Sequence, residues 1–221
     1  MKKSNITGII LNGFILVSSI IIVIGGMTAG AGEGQVGESM VGLGYLKAFT
    51  NQSNIFAAIA SAVCLVFNIK NCVRKETAMP YWAVLLQYVS ACAVGLTFLT
   101  VLLFLAPMQV AMGNSYFRFF KGDMFFFHFL NPFLAGAVFV WANRRYRFGR
   151  KENVIGLALT VYYSILYTVM VVFAGRWTDF YGFTLGGHYA LAPVACIILY
   201  AATYLIGWVL IRIHNRKLAE N

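Results

Sequence analysis

Six apolar runs in this chain are each long enough to cross a lipid bilayer. A helix needs about 20 mostly apolar residues to span a hydrocarbon core of roughly 30 Å. The runs cover residues 6–27, 50–69, 81–106, 123–143, 154–174 and 188–211. They predict an all-α integral membrane protein that folds as a single six-helix transmembrane bundle, with one domain over residues 1–221.

The composition supports this fold class and excludes several others. Sixty per cent of the 221 residues are apolar and only 11% are charged, whereas soluble domains are about 25% charged. A soluble globular enzyme, a disordered chain and a secreted disulfide scaffold are therefore excluded. The four cysteines have no metal-type spacing, so we expect ordinary reduced thiols and neither a metal nor another cofactor.

The first apolar run has a competing interpretation as a cleaved signal peptide. Two lysines precede it, and Ala29-Gly30-Ala31 after it supplies the small residues of a cleavage site. Signal peptides, however, have an apolar core of about 7–15 residues, and this run covers residues 6–27. We therefore expect a retained transmembrane helix.

The basic residues predict the orientation of the bundle. Thirteen of the 17 lysines and arginines fall on one side of the predicted membrane and four on the other. Short loops rich in Lys and Arg stay in the cytoplasm, so both termini are expected there. The same rule accounts for the net charge of +10 without a nucleic-acid partner.

Polar residues gather where the second helix begins, on the side opposite the cytoplasm. The segment is Thr50-Asn51-Gln52-Ser53-Asn54, and small or polar side chains continue along one helical face. Small residues let membrane helices pack closely, which is a sufficient explanation for Ser61 and Cys64. Five consecutive polar residues exceed what packing needs, so for Thr50 and Asn54 a functional role and a structural role stay equally open.

The fourth helix carries a histidine at a similar depth. His128 follows a run of phenylalanines, and Asn131 lies on the same face three residues later. Polar side chains at membrane depth are costly and mark functional sites, although a lone buried histidine is most often part of the packing. We favour function for His128. Pro132 is expected to kink this helix and to free a backbone carbonyl inside the bundle.

The loop before the sixth helix mixes aromatic residues with one acid. Its sequence is Arg176-Trp177-Thr178-Asp179-Phe180-Tyr181-Gly182-Phe183, and His188 opens the helix that follows. Trp and Tyr are common at membrane interfaces, so an aromatic belt is the simpler explanation. Because the topology brings this loop to the leaflet of Thr50, we include Trp177, Tyr181 and His188 among the candidate substrate-binding residues.

A hydroxyl, an imidazole and amides at one depth are the components of an acyl-transfer site. Threonine is a weak nucleophile unless a base takes its proton, and His128 is the candidate base for Thr50. Amide or backbone N–H groups can stabilise an oxyanion, and Asn51, Asn54 and Asn131 are the candidates for that role or for substrate binding. The sequence contains no Gly-x-Ser-x-Gly elbow, P-loop, zincin or dinucleotide motif.

The chain resembles the androgen-induced membrane hydrolase family. The resemblance lies in the six short helices, in Leu46-Lys47-Ala48-Phe49-Thr50 at the start of the second helix, and in a histidine early in the fourth. The sequence Phe-Thr-Asn-Gln-Ser-Asn and the His-x-x-x-Pro spacing of His128 and Pro132 are similar to the bacterial relatives of that family. The resemblance therefore implies a multi-pass protein of a bacterial cell membrane.

The resemblance also implies an activity. Eukaryotic members hydrolyse fatty acid esters of hydroxy fatty acids, with an intramembrane threonine as nucleophile and a histidine as its partner. Carried over, Thr50 is the nucleophile, His128 is the base and a fatty-acyl ester is the lipid substrate. The family's Tyr-Pro-Phe is Tyr181-Gly182-Phe183 here, which predicts a looser loop, and the acid that often follows the histidine is absent from residues 135–140.

Two other interpretations compete with the hydrolase. The polar cluster could bind or pass a small lipid or solute in a non-enzymatic membrane protein, although Asp123 and Asp179 lie at the rim and leave the spans without a carboxylate for proton coupling. His128 and His188 could ligate a metal or haem, but no four-ligand set is evident. The sequence leaves the chain length of the substrate and the oligomeric state undetermined.

Overall fold

Six long helices make up the bundle. A computed structural model describes residues 3–29, 41–74, 79–142, 145–184 and 187–220. The helices are α1 (Lys3–Ala29), α2 (Phe49–Arg74), α3 (Tyr81–Ala111), α4 (Asp123–Ala142), α5 (Arg150–Phe173) and α6 (Tyr189–Ala219). All six are long and apolar enough to cross a membrane, and the described residues contain no strand. The predicted all-α class with six helices long and apolar enough to span a membrane is confirmed for the described residues.

Several helices extend beyond the predicted spans. α2 begins at Phe49, so the polar segment 50–54 forms its first turns. α3 continues to Ala111 and α6 to Ala219. These extensions contain polar or basic side chains that lower the hydropathy, while their backbone groups still form helical hydrogen bonds. The predicted end of the fourth span at Asn143, and residues 30–31 of the possible cleavage site, lie outside the described residues.

α3 lies at the centre of the bundle. It packs against α2, α4, α5 and α6, while α1 packs mainly along α2. The buried face of α3 includes Ala83, Ala91 and Cys92, and such small side chains let neighbouring helices approach closely. At Gly207 of α6, a Cβ atom would lie only 2.3 Å from the hydroxyl of Tyr88, so glycine is required for this contact.

A proline interrupts the hydrogen bonding of α4. In the π-helical turn before it, the N–H of Asn131 bonds to the carbonyl of Phe126. The next donor in this pattern would be Pro132, which has no N–H, so the carbonyl of Phe127 lacks a helical partner. Asn54 of α2 donates to that carbonyl at 3.3 Å. The freed carbonyl expected from Pro132 is therefore present, and it ties α4 to α2.

The same arrangement recurs in α3. A π-helical turn bonds the N–H of Ala106 to the carbonyl of Val101, and Pro107 then leaves the carbonyl of Leu102 without its helical donor. The hydroxyl of Tyr116, in the turn between α3 and α4, donates to that carbonyl at 2.8 Å. Each interruption is thus capped by a side chain from another element.

The starts of α2, α4 and α6 meet at one end of the bundle, which we call the Thr50 end. Ser53 of α2 and Thr97 of α3 are hydrogen-bonded there at 3.0 Å. At the opposite end, the ring of His214 in α6 stacks on Phe139 of α4 with centroids 4.5 Å apart. Its two ring nitrogens each lie 3.0 Å from a backbone carbonyl oxygen, so His214 joins α6 to α4 and to the segment that follows it.

Candidate active site

The first turn of α2 holds Thr50 in a buried position. Thr50 is the second residue of the helix and is 9% exposed. Its backbone carbonyl accepts hydrogen bonds from Ser53 Oγ at 3.0 Å and from Asn54 Nδ2 at 2.9 Å. These bonds fix the turn, and the Thr50 hydroxyl interacts with the hydroxyl of Tyr181 above it.

Two tyrosines secure the start of α2, where backbone N–H groups have no helical partner. Tyr181 accepts a hydrogen bond from the N–H of Phe49 at 2.9 Å, and Tyr163 of α5 donates to the carbonyl of Lys47 at 2.6 Å. Burial raises the pKa of the Tyr181 hydroxyl, and hydrogen bonds from its neighbours lower that pKa by less. Tyr181 therefore stays protonated and presents a donor beside Thr50.

An asparagine pair links α2, α4 and α1 below Thr50. Asn131 Nδ2 donates to Asn54 Oδ1 at 3.2 Å and to Ser19 Oγ at 3.1 Å, and Ser18 Oγ donates to Asn131 Oδ1 at 3.1 Å. Asn54 Nδ2 is occupied by two backbone carbonyls. Both amides already have partners, so each would have to exchange one before it could bind an oxyanion. Their catalytic role stays a prediction.

His128 lies in the π-helical turn of α4 and is 3% exposed. Its Nδ1 is 2.8 Å from the carbonyl oxygen of Phe119. A carbonyl can only accept, so in the neutral ring Nδ1 carries the proton and Nε2 keeps its lone pair. Among the described residues, no hydrogen bond joins Nε2 to Thr50 or to any other group. Nε2 has the form of a general base, and its pairing with Thr50 stays a prediction.

Asn51 and Tyr45 supply two buried polar atoms without a partner. Asn51 Nδ2 donates to the backbone carbonyl of Tyr45 at 2.6 Å. Asn51 Oδ1 and the Tyr45 hydroxyl then have no hydrogen bond within the described part of the chain. Burial and the charge of Asp123 raise the pKa of Tyr45, so its hydroxyl keeps its proton. Such atoms commonly bind water.

Asn51 was a candidate for binding the oxyanion or the substrate. Its free atom is the acceptor Oδ1, whereas an oxyanion needs a hydrogen-bond donor.

The loop of residues 177–184, which we call the lip, is organised by the carboxylate of Asp179. It accepts hydrogen bonds from the hydroxyl of Tyr167, the N–H of Phe183, and both the N–H and the hydroxyl of Thr184, at 2.6–2.9 Å. Partial burial raises the pKa of Asp179, but the hydrogen bonds lower it by more, so it lies below the ordinary value. Gly182, with a φ of 67°, completes a turn in which its N–H bonds to the carbonyl of Asp179 at 3.0 Å, and the looser loop expected there stays a prediction.

Trp177 and His188 do not line the pocket that contains Thr50. Trp177 lines a separate groove on the surface of α2 and α5, together with Lys47. The side chain of His188 is exposed in the turn that opens α6. In the described segments, no three His, Cys, Asp or Glu side chains come together as a metal site.

A cleft between α3 and α6 leads to Thr50. Its inner chamber, of about 50 Å³, is lined by Thr50, and its outer groove has a volume of about 430 Å³. Leu96, Thr100, Tyr181 and Leu199 are among the residues that line both parts, so the two parts adjoin. The described residues that line them include no histidine and no charged side chain. Thr50 therefore lines the smaller part of an uncharged cleft.

The structure adds residues that the sequence analysis did not single out. They are Ser18, Ser19, Phe119, Tyr163 and Tyr167. For the serines a signal was present, since Asn5, Asn12 and Ser19 recur every seven residues along one buried face of α1. Tyr163 and Tyr167 likewise share a face of α5. Phe119 acts through its backbone carbonyl, which no side-chain pattern can indicate.

Comparison with family models, with curated proteins and with solved structures finds no match to this chain. The resemblance to the androgen-induced membrane hydrolases therefore rests on the residues quoted above and stays a prediction. The class that the fold defines is a six-helix, multi-pass membrane protein with a buried polar cluster at the Thr50 end.

Proposed function

We propose that this protein is an intramembrane lipid ester hydrolase that acts on fatty-acyl esters, with Thr50 as nucleophile and His128 as base. The observation that carries the proposal is the position of Thr50 in the lining of an uncharged, mostly apolar cleft. Ligand sites in proteins are largely apolar clefts with a few placed polar groups. If the apolar chain of a lipid lies in this cleft, the Thr50 hydroxyl lies near the ester group that ends the chain.

In the proposed reaction, Thr50 Oγ1 attacks the ester carbonyl carbon while His128 Nε2 takes the hydroxyl proton. The tetrahedral intermediate collapses, the bond to the alcohol breaks, and His128 returns the proton to the leaving oxygen. The acyl group remains on Thr50 as an ester. Water, deprotonated by His128, then attacks this ester, and Thr50 regains its proton as the fatty acid leaves.

The oxyanion donor that we favour is the hydroxyl of Tyr181. It is protonated and interacts with the Thr50 hydroxyl, whereas the amides of Asn54 and Asn131 already have partners. Catalytic hydrogen bonds are often long before substrate binds and tighten in the complex. The proposal thus requires His128 Nε2 and Thr50 to approach each other when the cleft is filled.

Turnover of a fluorogenic long-chain acyl ester by the full-length protein in lipid nanodiscs tests this function. Thr50→Ala and His128→Ala should each lower turnover by roughly a hundredfold or more, because each removes one half of the nucleophile–base pair. Ser61→Ala, a buried hydroxyl in the same helix and outside the cleft, is the matched control and should keep full activity. Undiminished turnover in either active-site variant would overturn the assignment.

A second candidate is a non-enzymatic protein that binds or passes a small lipid or solute. It is favoured by the lack of a hydrogen bond between Thr50 and His128 among the described residues. In that case wild-type protein should show no ester turnover, and an alkyl ligand should bind Thr50→Ala and wild type with the same affinity. Solute flux into liposomes that survives Thr50→Ala would identify transport.

We further propose the location of the protein. Both termini lie in the cytoplasm, because most of the lysines and arginines fall on that side of the predicted membrane. The resemblance to the bacterial relatives favours a bacterial cell membrane. The Thr50 end then faces outward, and the cleft opens into the outer leaflet. The partners in this proposal are the bilayer and a lipid ester, with no nucleic acid and no cofactor.

A further inference from the structure

α3 and α6 are in contact at one level of the bundle and leave a cleft nearer the Thr50 end. At the contact, a Cβ on Gly95 would lie 3.0 Å from Ile206, and Gly207 lies against Cys92. Beyond it, larger side chains on both helices line the groove, including Leu103 and Ile198. The contact through glycine is close, and the groove lies beyond it, where the lining from α6 includes Ala195 and Ala202 as well as larger side chains.

The groove opens on the flank of the bundle. Leu103 is 69% exposed and Ile198 is 62% exposed, although both line the groove. In a six-helix membrane protein this flank faces lipid, because the exposed side chains are apolar. The π-helical turn Val101–Leu105 of α3 lies at the same level. A molecule in the bilayer can therefore enter sideways, without passing through water.

The two parts of the cleft differ in size and share an almost entirely apolar surface. The outer groove is large and the inner chamber is small, and seven residues around the chamber carry a hydroxyl group. Several of these hydroxyls are paired within the protein, such as Thr160 with Thr203 at 3.2 Å. Thr100, which lines both parts, has no hydrogen bond to its hydroxyl among the described residues. The junction thus offers the hydroxyl of Thr100 to an uncharged polar group.

We infer that the cleft binds a single-chain ester lipid with a small uncharged alcohol part, such as a monoacylglycerol, which enters sideways from the bilayer. This inference rests on the proposed hydrolase function and names its substrate class. The acyl chain lies in the groove between α3 and α6, the ester lies at Thr100 and Thr50, and the alcohol part occupies the chamber. A second long chain does not fit a chamber of about 50 Å³. A charged head group finds no counter-charge in the lining and would lose its hydration there.

Photolabelling of the full-length protein in phosphatidylcholine nanodiscs tests the inference. The probe is a monoacylglycerol with a diazirine in its acyl chain, and a lysophosphatidylglycerol with the same chain is the anionic comparison. Peptide mapping should place the label of the neutral probe on α3 near Leu103 and on α6 near Ile198. Excess unlabelled monoacylglycerol should remove it, and the anionic probe should label these sites far less.

A pair of variants on α6 separates the groove from general contact with lipid. Ala195 lines the groove, so Ala195→Trp fills it and should lower specific labelling by roughly tenfold, the effect of excluding about two methylene groups. Ala201 is exposed and does not line the groove, and Ala201→Trp should leave labelling unchanged. Matched unfolding temperatures show that both variants fold. Unchanged labelling in Ala195→Trp, or equal labelling by the anionic probe, would overturn the inference.

The same experiment distinguishes failure of the inference from failure of the proposed function. Thr50→Ala retains the walls of the groove, so the neutral probe should still label it. If labelling follows the predicted pattern while no ester is hydrolysed, the cleft is a lipid-binding site and the hydrolase proposal falls. If esters are hydrolysed in a Thr50-dependent manner while Ala195→Trp affects neither labelling nor turnover, the hydrolase stands and the entry route is wrong.

Discussion

Single glycines determine how closely α6 approaches α3. A Cβ on Gly207 would lie 2.3 Å from the hydroxyl of Tyr88 and 2.3 Å from Asn153 Oδ1, which are themselves hydrogen-bonded at 2.9 Å. We therefore expect Gly207→Ala to lower the free energy of unfolding by about 1–3 kcal/mol, the usual cost of overpacking. Denaturant titration in detergent, followed by circular dichroism, measures this change.

Gly136 of α4 is the matched control for that substitution. A Cβ there would lie 3.6 Å from Leu210, an ordinary van der Waals distance. Alanine also favours the helix over glycine by about 1 kcal/mol, so Gly136→Ala should be neutral or stabilising. Equal destabilisation by the two substitutions would show that the contact at Gly207 is not specific.

At this scale, the sequence predicted one meeting of polar residues that the structure shows, that of Asn54 and Asn131. A contact between Thr50 and His128 stays a prediction, and the backbone partners of these side chains were not predicted. The topology brought Asn54 and Asn131 to the same end of the bundle, and the structure joins them at 3.2 Å. The partner of His128, however, is the backbone carbonyl of Phe119, and backbone partners depend on the course of a loop. For the same reason the sequence could not show that the side-chain amide nitrogens of Asn51 and Asn54 already donate to backbone carbonyls.

At the scale of elements, the lip depends on one carboxylate. The pKa of Asp179 in the folded protein lies below its ordinary value, so the ionised form stabilises the fold. This contribution is complete above the ordinary carboxyl pKa of about 3.9 and is lost as the pH falls through the lower pKa of the folded state. Asp179→Asn should therefore be less stable than wild type near neutral pH, and the difference should shrink in acid.

Thermal unfolding of the two proteins across the acidic range measures this difference. Thr178→Ala changes an exposed side chain in the same loop and should match wild type at every pH. A difference between Asp179→Asn and wild type that is constant with pH would show that the stabilisation does not come from ionisation of this carboxyl.

The sequence predicted the number and order of the helices because each run is about long enough to cross the bilayer, the second only with its polar segment 50–54 included. It also predicted the effect of Pro132, since a missing N–H must leave a carbonyl unpaired. It did not predict the π-helical turns before Pro107 and Pro132, because the extra residue in a turn depends on tertiary packing as well as on the proline. The ends of α3 and α6 were likewise underestimated, since hydropathy measures lipid exposure rather than helix length.

At the scale of the whole molecule, the distribution of charge predicts an outward Thr50 end. In a variant without native cysteines, we expect a membrane-impermeant maleimide to label Thr178→Cys in intact cells, because the lip lies outside. Ala219→Cys, at the end of α6, should be labelled only after the membrane is permeabilised. The opposite pattern would invert the proposed orientation and would place the mouth of the cleft in the inner leaflet.

The cleft itself was not predictable from the sequence. It results from the positions of Gly95 and Gly207 on two helices that lie far apart in the chain, together with side chains that face each other only in the folded bundle. A single helix shows these residues merely as small and large positions in an apolar run. Only the folded bundle shows that the two glycines face the opposite helix and bring α3 and α6 together.

The capping of Phe127 by Asn54 has a consequence for how this sequence can change over time. Loss of Pro132 would restore the backbone donor and make the amide at position 54 redundant, whereas loss of the amide alone would leave an orphaned oxygen in the membrane interior. Substitutions at positions 54 and 132 are therefore expected to occur together among descendants of this chain. The bond from Tyr116 to the carbonyl of Leu102, which Pro107 leaves free, should couple positions 116 and 107 in the same way.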